Sequence, residues 1–247
     1  MKTLIIMSFL LSMSVFAQST QKSQINSNFY GYWLNVDYYN ALINGVTPRE
    51  AYKYNEPYFN IIISEKENKV GFSDDLNEIG FYDFTISNSS IIFEDKLENS
   101  TNTVTLVNNE MFVLKNNKGI TKDFIKYPEK YQKENMTFGS FLPHFLINDL
   151  YFKGDYITLD SLKHEVSFTL DGEIIGVDGY NKYYVLANYH YGPPDYNSLS
   201  LSNSNIKKSS QYFAWEKSND TLTIFSTIDT LGLNYKKGDV FLKLKKK

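Results

Sequence analysis

The chain has 247 residues, 42% hydrophobic and 16% aromatic, with 25 basic and 28 acidic side chains, a formal charge of −3 and no cysteine. Such a length buries a large core without cross-links, and the lack of cysteine excludes a disulfide framework, thiolate catalysis, cysteine-ligated zinc and the acylated cysteine of a bacterial lipoprotein. Arg49 is the sole arginine, so this mildly acidic chain lacks the guanidinium-rich surface that reads nucleic acid.

Residues 1–17 read as a secretory signal peptide. Lys2 supplies the positive start, residues 4–11 (LIIMSFLL) an apolar run too short to span a bilayer, and Val15 and Ala17 the small side chains ahead of a cleavage point. The expectation is export to a periplasm or the medium, free rather than lipid-anchored. Residues 18–28 (QSTQKSQINSN) form a flexible polar lead-in. Residues 29–247 read as a single domain, because no Pro- or Gly-rich linker and no fixed-period repeat divides them. No later apolar run reaches the ~20 residues of a membrane-spanning helix.

The first element of the folded region is helical. Residues 36–42 are followed by Thr47-Pro48-Arg49-Glu50, where Thr47 suits an N-cap, Pro48 the first helical position and Glu50 a capping box. A short helix over 48–54 is expected, ending before Pro57. The remainder reads as strand. Segments 58–64 (YFNIIIS), 79–86, 91–94 and 104–114 are rich in β-branched and aromatic residues. Asn108-Asn109 and Asp171-Gly172 mark hairpin turns, the first expected to take the positive φ of a type I′ turn. A looser hairpin joins 212–216 to 221–225 across 217–220, and 239–244 forms the closing strand. Residues 128–149, broken by Gly139 and Pro143, fit either a short irregular helix or a loop over one barrel end. With about a dozen short strands, the fold class is all-β: an antiparallel up-and-down β-barrel with one or two short helices.

Phe29-Tyr30-Gly31-Tyr32-Trp33 resembles the G-x-W opening of lipocalins and related calycin barrels. Residues 152–156, 168–176 (FTLDGEIIG) and 180–185 look like the strand pattern of lipocalin-like exported proteins of the Bacteroidetes. The resemblance implies that Gly31 is a tight bend and Trp33 a plug at the closed end. It also implies a late basic residue over the indole; with no second arginine, Lys243 is the expected partner. The lipocalin T-D-Y motif is missing, and Gly154-Asp155-Tyr156 only echoes it.

Chemistry-bearing patterns are sparse. His144, His164 and His190 have no metal-ligand spacing and read as loop or surface residues. Asp74-Asp75 and Asp171-Gly172-Glu173 read as turn residues. No nucleophile elbow or phosphate cradle is present. No catalytic residue, metal or cofactor is assigned. The aromatic residues are the remaining signal, since Tyr and Trp give an apolar wall with a polar tip. Trp33, Phe168, Tyr183, His190, Tyr191 and Trp215 are the candidate lining of a site for a small hydrophobic or aromatic ligand, with the loop 189–196 (YHYGPPDY) as its rim. Two alternatives stand beside this: a cell-envelope module contacting protein or glycan through its surface, and a hydrolase using Asp155 or Asp160 with Glu173.

Overall fold

The computed structural model describes residues 25–54, 58, 60–73, 79–87, 89–96, 98–131, 143–187, 196–205, 210–229 and 235–247. The signal-peptide segment, Pro57, Asp74-Asp75, His190 and Tyr191 lie outside these residues.

A single helical turn, Ser27–Phe29, leads into β1 (Gly31–Asn35). Helix α1 (Val36–Ile43) follows without a loop, because the Asn35 side chain accepts hydrogen bonds from the N–H groups of Asp37 and Tyr38 at 2.9 and 3.3 Å. Helix α2 (Pro48–Ala51) has the expected capping box and runs on as a tighter turn, Tyr52–Tyr54. Then come β2 (Asn60–Ser64), β3 (Lys69–Ser73), β4 (Ile79–Ser87), β5 (Ser90–Asp95), β6 (Ser100–Asn108), β7 (Met111–Asn116) and β8 (Thr121–Lys126). Each pairs antiparallel with the next, and β8 returns to β1 with Trp33 opposite Lys126. The result is a closed eight-stranded barrel. Alternation fills it: Trp33, Ile61, Ile63, Phe72, Phe93, Val104, Phe112 and Phe124 are buried in one cluster.

The second half opens with α3 (His144–Ile147), which widens into a π-turn, Asn148–Phe152. Strands β9 (Gly154–Thr158), β10 (Glu165–Phe168), β11 (Ile174–Ile175), β12 (Lys182–Val185), β13 (Asn197–Ser202), β14 (Gln211–Ser218), β15 (Thr221–Asp229) and β16 (Tyr235–Lys246) follow. They form a second antiparallel sheet, in the order β11-β10-β9-β16-β15-β14-β13-β12. A bridge between Glu173 and Lys182 joins its outer edges, so it is nearly closed. The helical segment 144–152 fills it, burying Leu146, Ile147 and Phe152 against Phe168, Tyr183 and Trp215. Lys217 donates to the carbonyls of Leu150 and Tyr151 at 3.1 and 3.0 Å, satisfying acceptors that the helix end leaves open. The same apolar cluster reaches through α1 to Leu34 and Ile62 on the outer wall of the first barrel.

The expected fold class is therefore present, an antiparallel eight-stranded barrel with few helices, consistent with a lipocalin-like architecture. The expected meeting of first and last strands is replaced by two closures: β1 meets β8, and β16 meets β9. Turn chemistry differs too. Neither Asn108 nor Asn109 is among the described residues with positive φ; instead the Asn108 side chain accepts from Glu110 N–H at 2.8 Å. The loose hairpin after β14 is tight, pairing Ser218 with Thr221 and using Asn219 at φ 52°. At Asp171-Gly172 the hairpin forms as expected, with Gly172 at φ 78° and Thr169 N–H bonded to the Glu173 carbonyl. His144, expected in a loop or at the surface, is half-buried on α3, with its Nε2 shut off from solvent.

Candidate functional site

The aromatic candidates separate into two places. Trp33 lies inside the first barrel. Its indole N–H donates to the Phe29 carbonyl at 2.9 Å, and its ring centroid is 4.6 Å from that of Phe112. The ammonium above it belongs to Lys126, 5.6 Å from the ring, not to Lys243, which pairs with Thr223 in the other sheet. Gly31 enters the strand at φ 128°, a backbone conformation that residues with a Cβ rarely adopt; the Cβ it lacks would make only ordinary contact, 3.5 Å, with the Lys126 stem.

Phe168, Tyr183 and Trp215 do come together, around Phe152. Its ring lies 5.6, 5.5 and 4.9 Å from theirs, and Phe168 meets Tyr183 edge-on at 5.1 Å. These rings pack on one another as core. Burial pushes the Tyr183 hydroxyl well above the usual phenol range, and that hydroxyl donates to the Thr169 carbonyl at 2.6 Å.

Trp215 also contributes to a cleft of about 430 Å³ where α2 meets β13, β14 and β16. The capping box builds one wall. Thr47 Oγ1 donates to Glu50 Oε2 at 3.0 Å, and the Arg49 N–H donates to Asn197 Oδ1 at 3.1 Å, tying the first turn of α2 to β13. Tyr196 supplies aromatic surface; Trp215 borders the cleft with its side chain fully buried, the indole held by a 3.3 Å bond to the Ser198 carbonyl. Glu216 is paired with Lys237. The charged lining sets Arg49, Lys236 and Lys237 against Glu50 and Glu216, one positive charge in excess. A cleft with a phenol and this charge suits a small, partly apolar molecule bearing an acid group.

The carboxylates of the hydrolase alternative are each held locally. Asp155 accepts from Ser167 Oγ at 2.5 Å, and Glu173 pairs with Lys182 at 2.8 Å. Asp160 accepts from Thr158 Oγ1 at 2.8 Å and from the N–H groups of Leu162 and Lys163, and the Thr158 bond leads in lowering its pKa. A lowered pKa is the opposite of what a general acid needs. Asp160 and His164 share a smaller cleft of about 260 Å³ with Phe241. Among the described residues no group of three or more His, Asp or Glu side chains has metal-binding geometry, and no helix is long and apolar enough to cross a membrane.

Sequence reading passed over Asn197, Lys236 and Lys237, took Glu50 only as a capping-box residue, and treated Arg49 only as a count. The capping box does place Arg49, half-buried, on the first turn of a helix. Its neighbour Asn197 is 148 residues away, and no local signal carries that pairing. Tyr196 belongs to the 189–196 segment expected to form a rim; His190 and Tyr191 of that segment lie outside the described residues. No protein-family model, curated protein or solved structure matches the chain.

Proposed function

We propose that the chain is an exported, non-enzymatic β-barrel protein of the lipocalin-like Bacteroidetes kind, whose α2–β13–β14 cleft holds a small, partly apolar acid. The observation that carries this reading is the meeting of Tyr196 with Arg49 and Lys236, beside the buried Trp215, in one cleft with one positive charge in excess. Gly31, Trp33 and Lys126, stacked at the start and end of one closed barrel, support the lipocalin-like part. Export rests on residues 1–17, and release without a lipid anchor on the absence of cysteine. Expression in a bacterium with the native leader tests that part: N-terminal sequencing of the exported protein should begin at Gln18.

The ligand is tested by fluorescence. In a Trp33→Phe variant Trp215 is the sole indole. Titration with indole-3-acetate, 4-phenylbutyrate and decanoate should give saturable quenching by at least one of them, and the matching alcohols should give none. Arg49→Gln should weaken binding about ten-fold or more, the value of a charge-assisted hydrogen bond. A flat titration with every acid, or equal affinity in Arg49→Gln, removes the proposal.

A further inference from the structure

The second barrel carries two buried acceptors that its own residues leave unsatisfied. His144 and Asn148 lie on the helical segment that fills it. The Asn148 N–H bonds the His144 carbonyl, so the two are one turn apart and their side chains leave the same helix face. Each is anchored through one polar atom. His144 Nδ1 lies 3.1 Å from the Val185 carbonyl, and Asn148 Nδ2 donates to the Leu170 carbonyl at 2.9 Å. The atoms that remain, His144 Nε2 and Asn148 Oδ1, are sealed from solvent and have no protein partner. Asn148 as a whole is 4% exposed. The backbone explains why side chains serve here. Strand β12 stands last in the sheet order. Tyr183 turns its N–H across the seam to the Gly172 carbonyl, and Val185, two residues on, presents its carbonyl to the same side. No described strand meets it there, and His144 does.

The anchors fix the chemistry of the two orphaned atoms. A carbonyl only accepts, so Nδ1 carries the ring proton, and burial pushes the ring's pKa down to about 3, so there is no second one. Nε2 is therefore a bare lone pair. The Asn148 amide gives its nitrogen to Leu170, which leaves Oδ1 as another acceptor. Two acceptors cannot bond each other, and burying both unbonded is costly. Their occupant must give two protons at once and bring no charge into an apolar cluster that includes Ile147, Phe152 and Val185. It must also fit between side chains whose Cβ atoms stand about 5–6 Å apart. Water has two O–H donors, and two hydrogen bonds of about 2.8 Å match that spacing. A metal ion would use the same lone pairs but needs more ligands, and among the described residues no group of three or more His, Asp or Glu side chains could hold one. We propose that one internal water molecule bridges His144 Nε2 and Asn148 Oδ1, so that the seam of the second barrel is closed by main chain at Glu173–Lys182 and by a hydrated side-chain pair beside Val185.

The test is magnetic resonance on the full chain with nitrogen-labelled histidine. The His144 ring should be the neutral tautomer with its proton on Nδ1 and with Nε2 accepting a hydrogen bond. Its ring protons should cross-relax with water in the sense of a long-lived molecule. Asn148→Leu, close in shape but without the acceptor, should remove that water signal and move the Nε2 resonance toward that of a free lone pair. Relaxation dispersion of the solvent should count one long-residence water fewer in this variant than in wild type. In a crystal, a water should lie within about 3.2 Å of both atoms. A proton on Nε2, no water contact in the wild-type protein, or an unchanged count in folded Asn148→Leu overturns the inference. Saturable zinc uptake that shifts the His144 resonance and is lost in Asn148→Leu also overturns it, and gives the pair to a metal. If Asn148→Leu does not fold, the wild-type tautomer and water contact decide by themselves.

Discussion

Asp95 is 1% exposed, an expensive place for a carboxylate unless its oxygens are satisfied. Tyr58 donates to it at 2.5 Å, Tyr82 at 3.3 Å and the Glu98 N–H at 3.1 Å. Burial, then the Asp95 bond and charge, push the Tyr58 hydroxyl far above its usual pKa, so it remains a donor at any working pH. Removing that donor in Tyr58→Phe leaves a buried charge under-satisfied. A loss of about 2 kcal/mol is expected in urea unfolding; a loss below about 0.5 kcal/mol would show that water takes the place of the hydroxyl. His144 offers a pH experiment. Its Nδ1 lies 3.1 Å from the Val185 carbonyl, its ring is 4.0 Å from Tyr184, and burial pushes its pKa down to about 3. The folded ring stays neutral while the unfolded one takes a proton below about 6.5. This contribution is therefore complete above pH 6.5 and erodes as pH falls from 6.5 toward 3. The slope approaches about 1.4 kcal/mol per pH unit. His144→Gln, which keeps a donor for Val185, should flatten that part of the stability profile relative to wild type.

Among elements, α2 is short and held mostly by its ends. Thr47→Ala removes the hydroxyl that bonds Glu50 and should cost about 1 kcal/mol. It also leaves the Glu50 carboxylate held only by the residue-47 N–H, so any affinity of the α2 cleft for an acid should drop along with stability. Loss of stability without loss of affinity would place the ligand elsewhere. The elements legible in the sequence were those with local chemistry: the Thr47–Glu50 box, the Asp171-Gly172 turn and the alternating strands. Asn108-Asn109 misled because asparagine serves two turn devices, positive φ and side-chain capping, and here Asn108 uses the second. The helix at 144–147 was obscured by Pro143, which begins it rather than breaks it.

At the scale of the molecule, division into two sheets left no mark in the sequence. Strand length, turn type and alternation are the same on both sides, and each closure joins residues far apart, Trp33 with Lys126 and Leu244 with Thr158. The candidate clefts escaped for the same reason, because cross-sheet register decides which of many tyrosines stay outside. The shared apolar cluster makes a prediction about cooperativity. Leu34 sits on β1 yet packs with the second sheet through α1. Leu34→Ala should cost about 2–5 kcal/mol and raise amide exchange in β9 and β16 as well as in β1 and β8. Exchange confined to the first barrel would mean that the two sheets open independently.

Strand β16 lies in the middle of its sheet, between β9 and β15. On the ribosome the first barrel has every strand it needs once Lys126 has emerged, but the second cannot assemble until the residues after 234 are made. A premature stop shortly before Tyr235 would therefore release a lopsided molecule: one half native, the other a sheet missing the strand between β9 and β15 and exposing Trp215 and Phe168 to quality-control proteases.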